Sequence, residues 1–392
     1  MEAHRGTDVR RANPTPSDKE SKESVSMPAC LRQSRRIPCV LMRGGTSRGA
    51  FFLASDLPAD PAERDAILVS AMGSGHELQV DGIGGGNPLT SKVAIVGPAT
   101  VPGADLDYLF AQVNVLEQSV DTSPNCGNML SGVGPFAIEA GLVRARPGVT
   151  TVRIHNVNTR KIVAARFATP GGRVCYDGDA AIDGVPGTAA PIQLSFLDAA
   201  GAKTGRQFPT GRALDQIEGI TVTCIDAATP LVIMRAEDLG RSGQERPAEL
   251  DADRAFMRRL EAIRVAAGER MGLGNVAGLV IPKPVIVTAP RNGGTISARY
   301  FTPHACHKAF AITGAVGLAT ACAEAGTIAG AIAGAGSLPP TLTIEHPSGR
   351  LEAQMEMGSG AAGPVVSIVR TARKLFEGAV FATVPCAAAE AA

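Results

Sequence analysis

The chain has no tryptophan, and aromatic residues of all kinds make up only 4% of its 392 residues. A core built from it has to be aliphatic and packed through small side chains. Charge of one sign is lacking as well. Its 38 Lys and Arg face 37 Asp and Glu, a net charge of +1, which leaves no electrostatic case for nucleic acid or a membrane surface as partner. Eight cysteines fall at 30, 39, 126, 175, 224, 306, 322 and 386 without one CxxC pair. In a chain of this length that argues against a disulfide framework and for reduced thiols in a cytoplasmic protein. There is no HExxH, no zinc-spaced Cys/His set and no nucleotide loop, so neither metal nor organic cofactor is expected. No apolar run reaches a bilayer span uninterrupted. The nearest, Ala309 to Ala335, is Ala/Gly-rich and reads as a packed internal helix with its loop.

What is present is glycine, 45 residues of it, in a chain that is 45% hydrophobic. The stretch that stands out is Ser123-Pro-Asn-Cys-Gly-Asn-Met-Leu-Ser131, which leads into an apolar run, Met129 to Val143, read as a buried helix. Cys126 then falls at or just before the helix N-terminus. Free N–H groups and the positive end of the dipole lower a thiol's pKa there and favour anions. Gly127 allows close approach, and Asn125 and Asn128 can cap or hold polar groups. A buried structural cysteine is the plainer alternative.

Residues 1–36 are polar and read as a disordered tail. Ile37–Met42 and Ala50–Leu53 read as strands around Arg43-Gly-Gly-Thr-Ser-Arg-Gly49. There the backbone of Gly44 and Gly45, the hydroxyls of Thr46 and Ser47 and the charge of Arg43 can bind a carboxylate. Asp60 and Pro61 start a helix to Met72. Asp81-Gly-Ile-Gly-Gly-Gly-Asn-Pro-Leu-Thr-Ser-Lys92 is a loop whose backbone, at Gly85, Gly86 and Ser91, can fold round a ligand. Lys92 opens the apolar strand 93–96. It is either a solvated edge residue or a lysine held in a site, where partial burial would suit it to act as a base. Strands are also expected at 110–116, 151–156, 161–168, 172–176, 192–196, 221–225, 231–234, 285–288 and 295–301. A long helix from Asp251 to Met271 and a second apolar helix, Gly314 to Ala325, complete the reading.

The halves echo each other. Gly132–Gly141 resembles Ala315–Gly326, and the strand series 152–167 and 173–177 parallels 342–357 and 365–372. The expected architecture is two similar α/β (α+β) domains, 37–200 and 201–385. Each wraps a mostly antiparallel sheet round a central helix, with both helix N-termini aimed into one cleft. Two positive helix ends make a strong anion site, which predicts a small substrate with more than one carboxylate.

Met42-Arg-Gly-Gly-Thr-Ser-Arg-Gly49, Asp81-Gly-Ile-Gly-Gly85, Thr90-Ser-Lys92, Asn125-Cys-Gly-Asn128, Gly132-Val-Gly-Pro-Phe136 and Arg370-Thr-Ala-Arg-Lys374 together resemble the PrpF family. The likeness runs from Ile37 to Phe381. It implies a diaminopimelate-epimerase-like fold and a cofactor-independent isomerase acting on a small unsaturated tricarboxylate. Asp107–Gln112, Tyr176–Gly187 and Ile344–Pro347 look most like members acting on 4-oxalomesaconate in protocatechuate and gallate degradation. 2-Methylaconitate and aconitate are the alternative substrates, and Gly86-Asn-Pro88 departs from the family pattern. The resemblance implies Lys92 as the proton-transferring base, with Cys126 across the substrate. Arg43 or Arg299 would hold developing charge, and His304 would either touch substrate or serve a structural role. Epimerases of this fold carry one cysteine per domain. Cys306, between His304 and His307, lies near the second place, but the helix start puts Ile312 or Thr313, followed by Gly314, there instead. A racemase of the same fold would need that second group. A tricarboxylate-binding accessory protein would bind acids without proton exchange. The only macromolecular partner expected is a second copy of the chain, as a homodimer.

Overall fold

The computed structural model describes residues 32–302, 305–356 and 364–385. The first strand, β1 (Arg32–Gly44), already runs through five residues assigned to the tail, whose remainder lies outside the described residues. Ser34, Arg35 and Arg36 are exposed on it, so their polarity reflects a strand with wet side chains rather than an unstructured segment.

The first half continues with β2 (Ser47–Leu53), β3 (Lys92–Pro98), β4 (Leu106–Val113), β5 (Val120–Asp121), β6 (Gly148–Asn156), β7 (Lys161–Thr169) and β8 (Ile192–Phe196). The second half runs through β9 (Asp215–Ile217), β10 (Ile220–Ala227), β11 (Thr229–Arg235), β12 (Lys283–Thr288), β13 (Ile296–Thr302) and β14 (Ala305–Cys306). It ends with β15 (Thr341–His346), β16 (Gly349–Glu356), β17 (Val365–Arg370) and β18 (Ala372–Pro385).

The pairing repeats. In the first half β1–β2 is antiparallel, β2–β3 parallel, β3–β4 antiparallel, β4–β6 parallel, and β6–β7 and β7–β8 antiparallel. The series β10, β11, β12, β13, β15, β16, β17 shows the same senses in the same order. Strands β8 and β17 join the two series antiparallel, with Ser195 opposite Ser367 and their hydroxyls 2.7 Å apart. An antiparallel pair carries a local two-fold axis, so the symmetry of the repeat centres here. The last strand of each series is therefore β8 or β17, and not 172–176. There Pro170-Gly-Gly172 makes a single helical turn with both glycines at positive φ. Strand β18 pairs with β1, so the final strand lies with the first half's sheet although the 200/201 boundary assigns it to the second.

Helix α1 (Pro61–Met72) has the expected start: Asp60 accepts the Glu63 N–H at 2.9 Å, and Pro61 fills the first position. The helix expected over 251–271 is two, α3 (Pro247–Ala252) and α4 (Arg254–Arg270). Asp253 separates them, taking the Phe256 N–H at 2.9 Å as cap of the second.

The helices at the centre of each half are α2 (Gly127–Glu139) and α5 (Ile312–Ala323), the latter followed by α6 (Ile328–Ala333). Both central helices start two residues before the apolar runs suggested. In α2 every residue from Gly127 to Ala137 is buried, so the helix has no wet face. Glycines in a helix interior cost about 1 kcal/mol each against alanine, and packing explains them here. A Cβ on Gly132 would stand 2.7 Å from the Phe51 ring, and one on Gly134 2.6 Å from Phe167. In α5, Gly317 fits Leu231 in the same way, at 2.6 Å. Gly132→Ala is expected to destabilise the protein by about 1–3 kcal/mol through overpacking, read as a lower urea midpoint. An unchanged midpoint would refute the close packing of Phe51 on this helix.

Candidate active site

Lys92 is the first residue of β3 and is 9% exposed. The loop before it wraps round Gln79, whose Oε1 accepts the Gly86 N–H at 2.9 Å and the Ser91 hydroxyl at 2.5 Å. A Cβ on Gly84 would lie 2.3 Å from that same side chain, and one on Gly85 2.4 Å from the Thr90 hydroxyl. Gly85, Gly86 and the fully buried Ser91 thus build the loop that presents the lysine. Opposite in the ladder, Gln112 accepts from Lys92 Nζ at 2.6 Å and fixes its own amide by donating to Ser91 O at 2.9 Å. Lys92 Nζ lies over the Phe110 ring, 5.1 Å from its centroid.

Two residues away on the same face of β4, the Tyr108 hydroxyl donates to the carbonyl of Cys126 at 3.2 Å. Cys126 is the N-cap of α2, with extended backbone (φ −137°, ψ 102°) and a half-buried thiol. Asn125 reaches the second half, its amide 3.5 Å from Ala228 O. The first glycine turn closes against the start of α2. A Cβ on Gly44 would meet Asn128 O at 2.4 Å, and Gly45, at φ +52°, lies against the Asn128 side chain. Asn128 donates to Thr46 Oγ1 at 3.1 Å. Ser47 Oγ and Asn128 Oδ1 are buried with no hydrogen-bond partner among the described residues.

Helix α5 meets α2 end to end. A Cβ on Gly127, first residue of α2, would be 2.6 Å from Cβ of Ile312, first residue of α5. Neither helix has a side-chain cap, since the capping residues are Cys126 and Ala311. Two sets of first-turn N–H groups, including those of Thr313 and Gly314, are thus left without capping side chains beside one another. Gly314 packs its backbone on the Tyr300 ring. Burial, and then the Cys126 charge, raise the phenol pKa values of Tyr108 and Tyr300. Tyr108 thus bonds the Cys126 carbonyl from the first half, and Tyr300 of the second half lies against the start of α5.

Other expected site residues are placed differently. Arg43 donates to Gly45 O, Thr371 O and Thr371 Oγ1, each at 3.0 Å, and so ties the glycine turn to the β17–β18 connection. Arg299 donates to Glu245 O at 2.9 Å and Ala298 O at 3.1 Å. Arg43 is tethered through Nη1 alone and Arg299 through Nε and Nη1, and Nη2 of each makes no hydrogen bond among the described residues. Cys306 packs with Phe256 and Phe301 in a separate core, gives its N–H to Asp251 at 2.6 Å, and has its pKa pushed up to about 12 by burial and then by Asp251. The residue of the second half that matches Cys126 is Ala311, one before Ile312, so this half brings no thiol. His304 lies outside the described residues. Among those described, no three His, Cys, Asp or Glu residues converge as a metal set, and no helix is long and apolar enough to cross a membrane. A cavity of about 180 Å³ bordered by Cys39, Phe51, Phe136 and Gly378 is lined by neither Lys92 nor Cys126.

Two second-half residues join the site unannounced. His307 stacks edge-on to Tyr300, with centroids 6.1 Å apart, and its Nδ1 accepts the Ala309 N–H at 3.0 Å. Burial, reinforced by the charges of Lys92, His346 and Lys283 and opposed by the Ala309 contact, brings its pKa down to about 4. It is a neutral imidazole, and the Ala309 bond assigns its proton to Nε2. Lys283, 9% exposed, opens β12 as Lys92 opens β3. The signal was in the sequence: Ser-Lys-Val-Ala-Ile-Val96 against Pro-Lys-Pro-Val-Ile-Val287.

A family model described as "PrpF protein" matches residues 34–383. The chain is 56% identical over 351 residues to the Escherichia coli (strain K12) protein YbhH, whose name carries no substrate, covering 88% of this chain and 99% of that one. It is 50% identical over 346 residues to the 4-oxalomesaconate tautomerase of Pseudomonas putida (strain KT2440), covering 88% and 96%. Among solved structures, a methylitaconate-delta-isomerase superposes with a TM-score of 0.78 at 35% identity, over 89% of this chain and 96% of that one. The epimerase-like architecture of two helix-centred halves is the one observed.

Thiol chemistry tests the placement. Burial raises the pKa values of Cys224, Cys306 and Cys322, so at pH 8 all three stay protonated and shielded. Iodoacetamide followed by peptide mass spectrometry is expected to label Cys126 in the native protein and those three only after denaturation. Native labelling of Cys306 ahead of Cys126 would overturn the assignment.

Proposed function

The chain belongs to the PrpF family, and from that premise we propose that it is an isomerase that moves a proton across an allylic unit of a small unsaturated tricarboxylate. The observation that carries this reading is the placement of Lys92 and Cys126 over one face of β4, beside two uncapped helix N-termini that meet at Gly127 and Ile312. The amine of Lys92 takes a proton from the allylic carbon, and the electron pair spreads into a dienolate. First-turn N–H groups of α2 and α5 and Nε2–H of His307 hold the developing negative charge. The Cys126 thiol then protonates the far carbon, and the double bond has moved. The thiolate and ammonium left behind exchange their proton through solvent. Gln112 keeps Lys92 in place throughout.

The substrate proposed is 4-oxalomesaconate, which the Pseudomonas relative is named for and which the stretches around Asp107, Tyr176 and Ile344 favour. That places the activity in breakdown of aromatic acids. Six described cysteines unpaired with one another suit a reducing, cytoplasmic setting. A two-base racemase is disfavoured by Ala311 at the position that matches Cys126.

Proton NMR in D2O with 4-oxalomesaconate, 2-methylaconitate and the aconitates tests the proposal. Double-bond migration with one deuteron gained is expected for oxalomesaconate. Migration in an aconitate alone would keep the chemistry and replace the substrate, and no migration in any would end the isomerase reading. Cys126→Ser is expected to slow turnover about 10²–10⁴-fold while substrate still binds. Turnover within twofold of the parent would remove the thiol from proton delivery.

A further inference from the structure

Lys283 is a buried lysine that the proton transfer just described does not use. It is 9% exposed, and its ammonium has no hydrogen-bond partner among the described residues. Around it, Arg264 of α4 carries like charge but is engaged by Glu261 at 2.6 Å and by the carbonyls of Val276 and Ile281, each at 2.9 Å. Lys92 at the start of β3 adds a second like charge, and the Asp121 carboxylate of β5 opposes them. Lys283 opens β12 beside β11 in the same parallel arrangement in which Lys92 opens β3 beside β2, so the two-fold repeat sets the two lysines at matching strand ends of the two halves. A lone buried cation beside other cations is costly unless an anion joins it.

The cleft thus has three elements fit to bind a carboxylate: the two helix N-termini and this ammonium. We propose that Lys283 is a specificity-determining residue, which holds the carboxylate that distinguishes a tricarboxylate from a dicarboxylate. This rests on the reading of the cleft as an acid-binding site. The second half then contributes charge recognition where the first contributes the base, from the same strand position.

Burial, then Arg264 and Lys92, bring the Lys283 pKa down to about 7. In the apo protein much of it is the neutral amine at pH 8, and a bound carboxylate restores the ammonium. Binding therefore takes up a proton. The sign for stability follows. The unfolded chain holds this proton between about pH 7 and the ordinary lysine range while the folded one does not, so this group makes stability rise with pH there.

Isothermal titration of the wild-type protein with tricarballylate and with glutarate, in buffers of differing ionisation enthalpy at pH 8, is the test. Expected are at least tenfold tighter binding of the triacid and net proton uptake with it. In Lys283→Met the preference should fall below threefold and the uptake vanish, while Lys283→Arg keeps the preference. A triacid preference equal in Lys283→Met and wild type, or no proton uptake by wild type, overturns the role of Lys283 alone. The uptake arm needs no variant, so a misfolded mutant does not shelter the proposal. A wild-type protein that binds neither acid overturns the cleft reading together with this one.

Discussion

The contact that the rest of the structure serves is that of Gly127 with Ile312, where two helices meet at their N-termini. Like ends of two dipoles, each worth about half a positive charge, repel by roughly 1 kcal/mol at a few ångströms in a protein-like dielectric. No side chain caps either helix to relieve this. Only the absence of a side chain at Gly127 permits the approach, and only burial of both helices inside their sheets holds it. The site is therefore organised for negative charge before any ligand arrives, so little reorganisation remains for the reaction itself.

A two-fold repeat explains how such a contact arises, and its broken symmetry explains the chemistry. The strands pair in the same order and sense in each half, and the halves join at Ser195 and Ser367. Lysines open corresponding strands, yet only one meets a glutamine partner, Gln112. The N-cap is a cysteine in one half and an alanine in the other. In the proposed reaction, base and acid thus come from a single half. That suits a proton moved along one substrate skeleton rather than one exchanged between two faces of a carbon.

Much of this was legible in the residues. Asp60-Pro61, the Cys126 helix start and the strand opened by Lys92 follow from local chemistry, because caps, prolines and apolar runs act over a few residues. The glycine loops were legible as loops, but the side chains they enclose were not. Gly84 and Gly86 fold round nearby Gln79, and Gly44 and Gly45 lie against Asn128, a contact made far along the chain that no local pattern reveals. Arg43 and Arg299 were legible as cations, but the carbonyls that tether them, at Thr371 and Glu245, are distant in sequence. Lys283 escaped notice because Pro282 and Pro284 flank it, although its strand shares the Lys, Ile and Val of the strand that Lys92 opens.

The central claim is that Lys92 removes the substrate proton inside a cleft whose binding power comes mainly from other groups. Lys92→Met, with 4-oxalomesaconate in D2O, addresses it directly, with affinity measured alongside. The account predicts that substrate binding persists within about tenfold while exchange of the allylic proton with solvent falls by at least about 10³-fold. Exchange at the wild-type rate in a variant that still binds would contradict it and move the base elsewhere in the cleft.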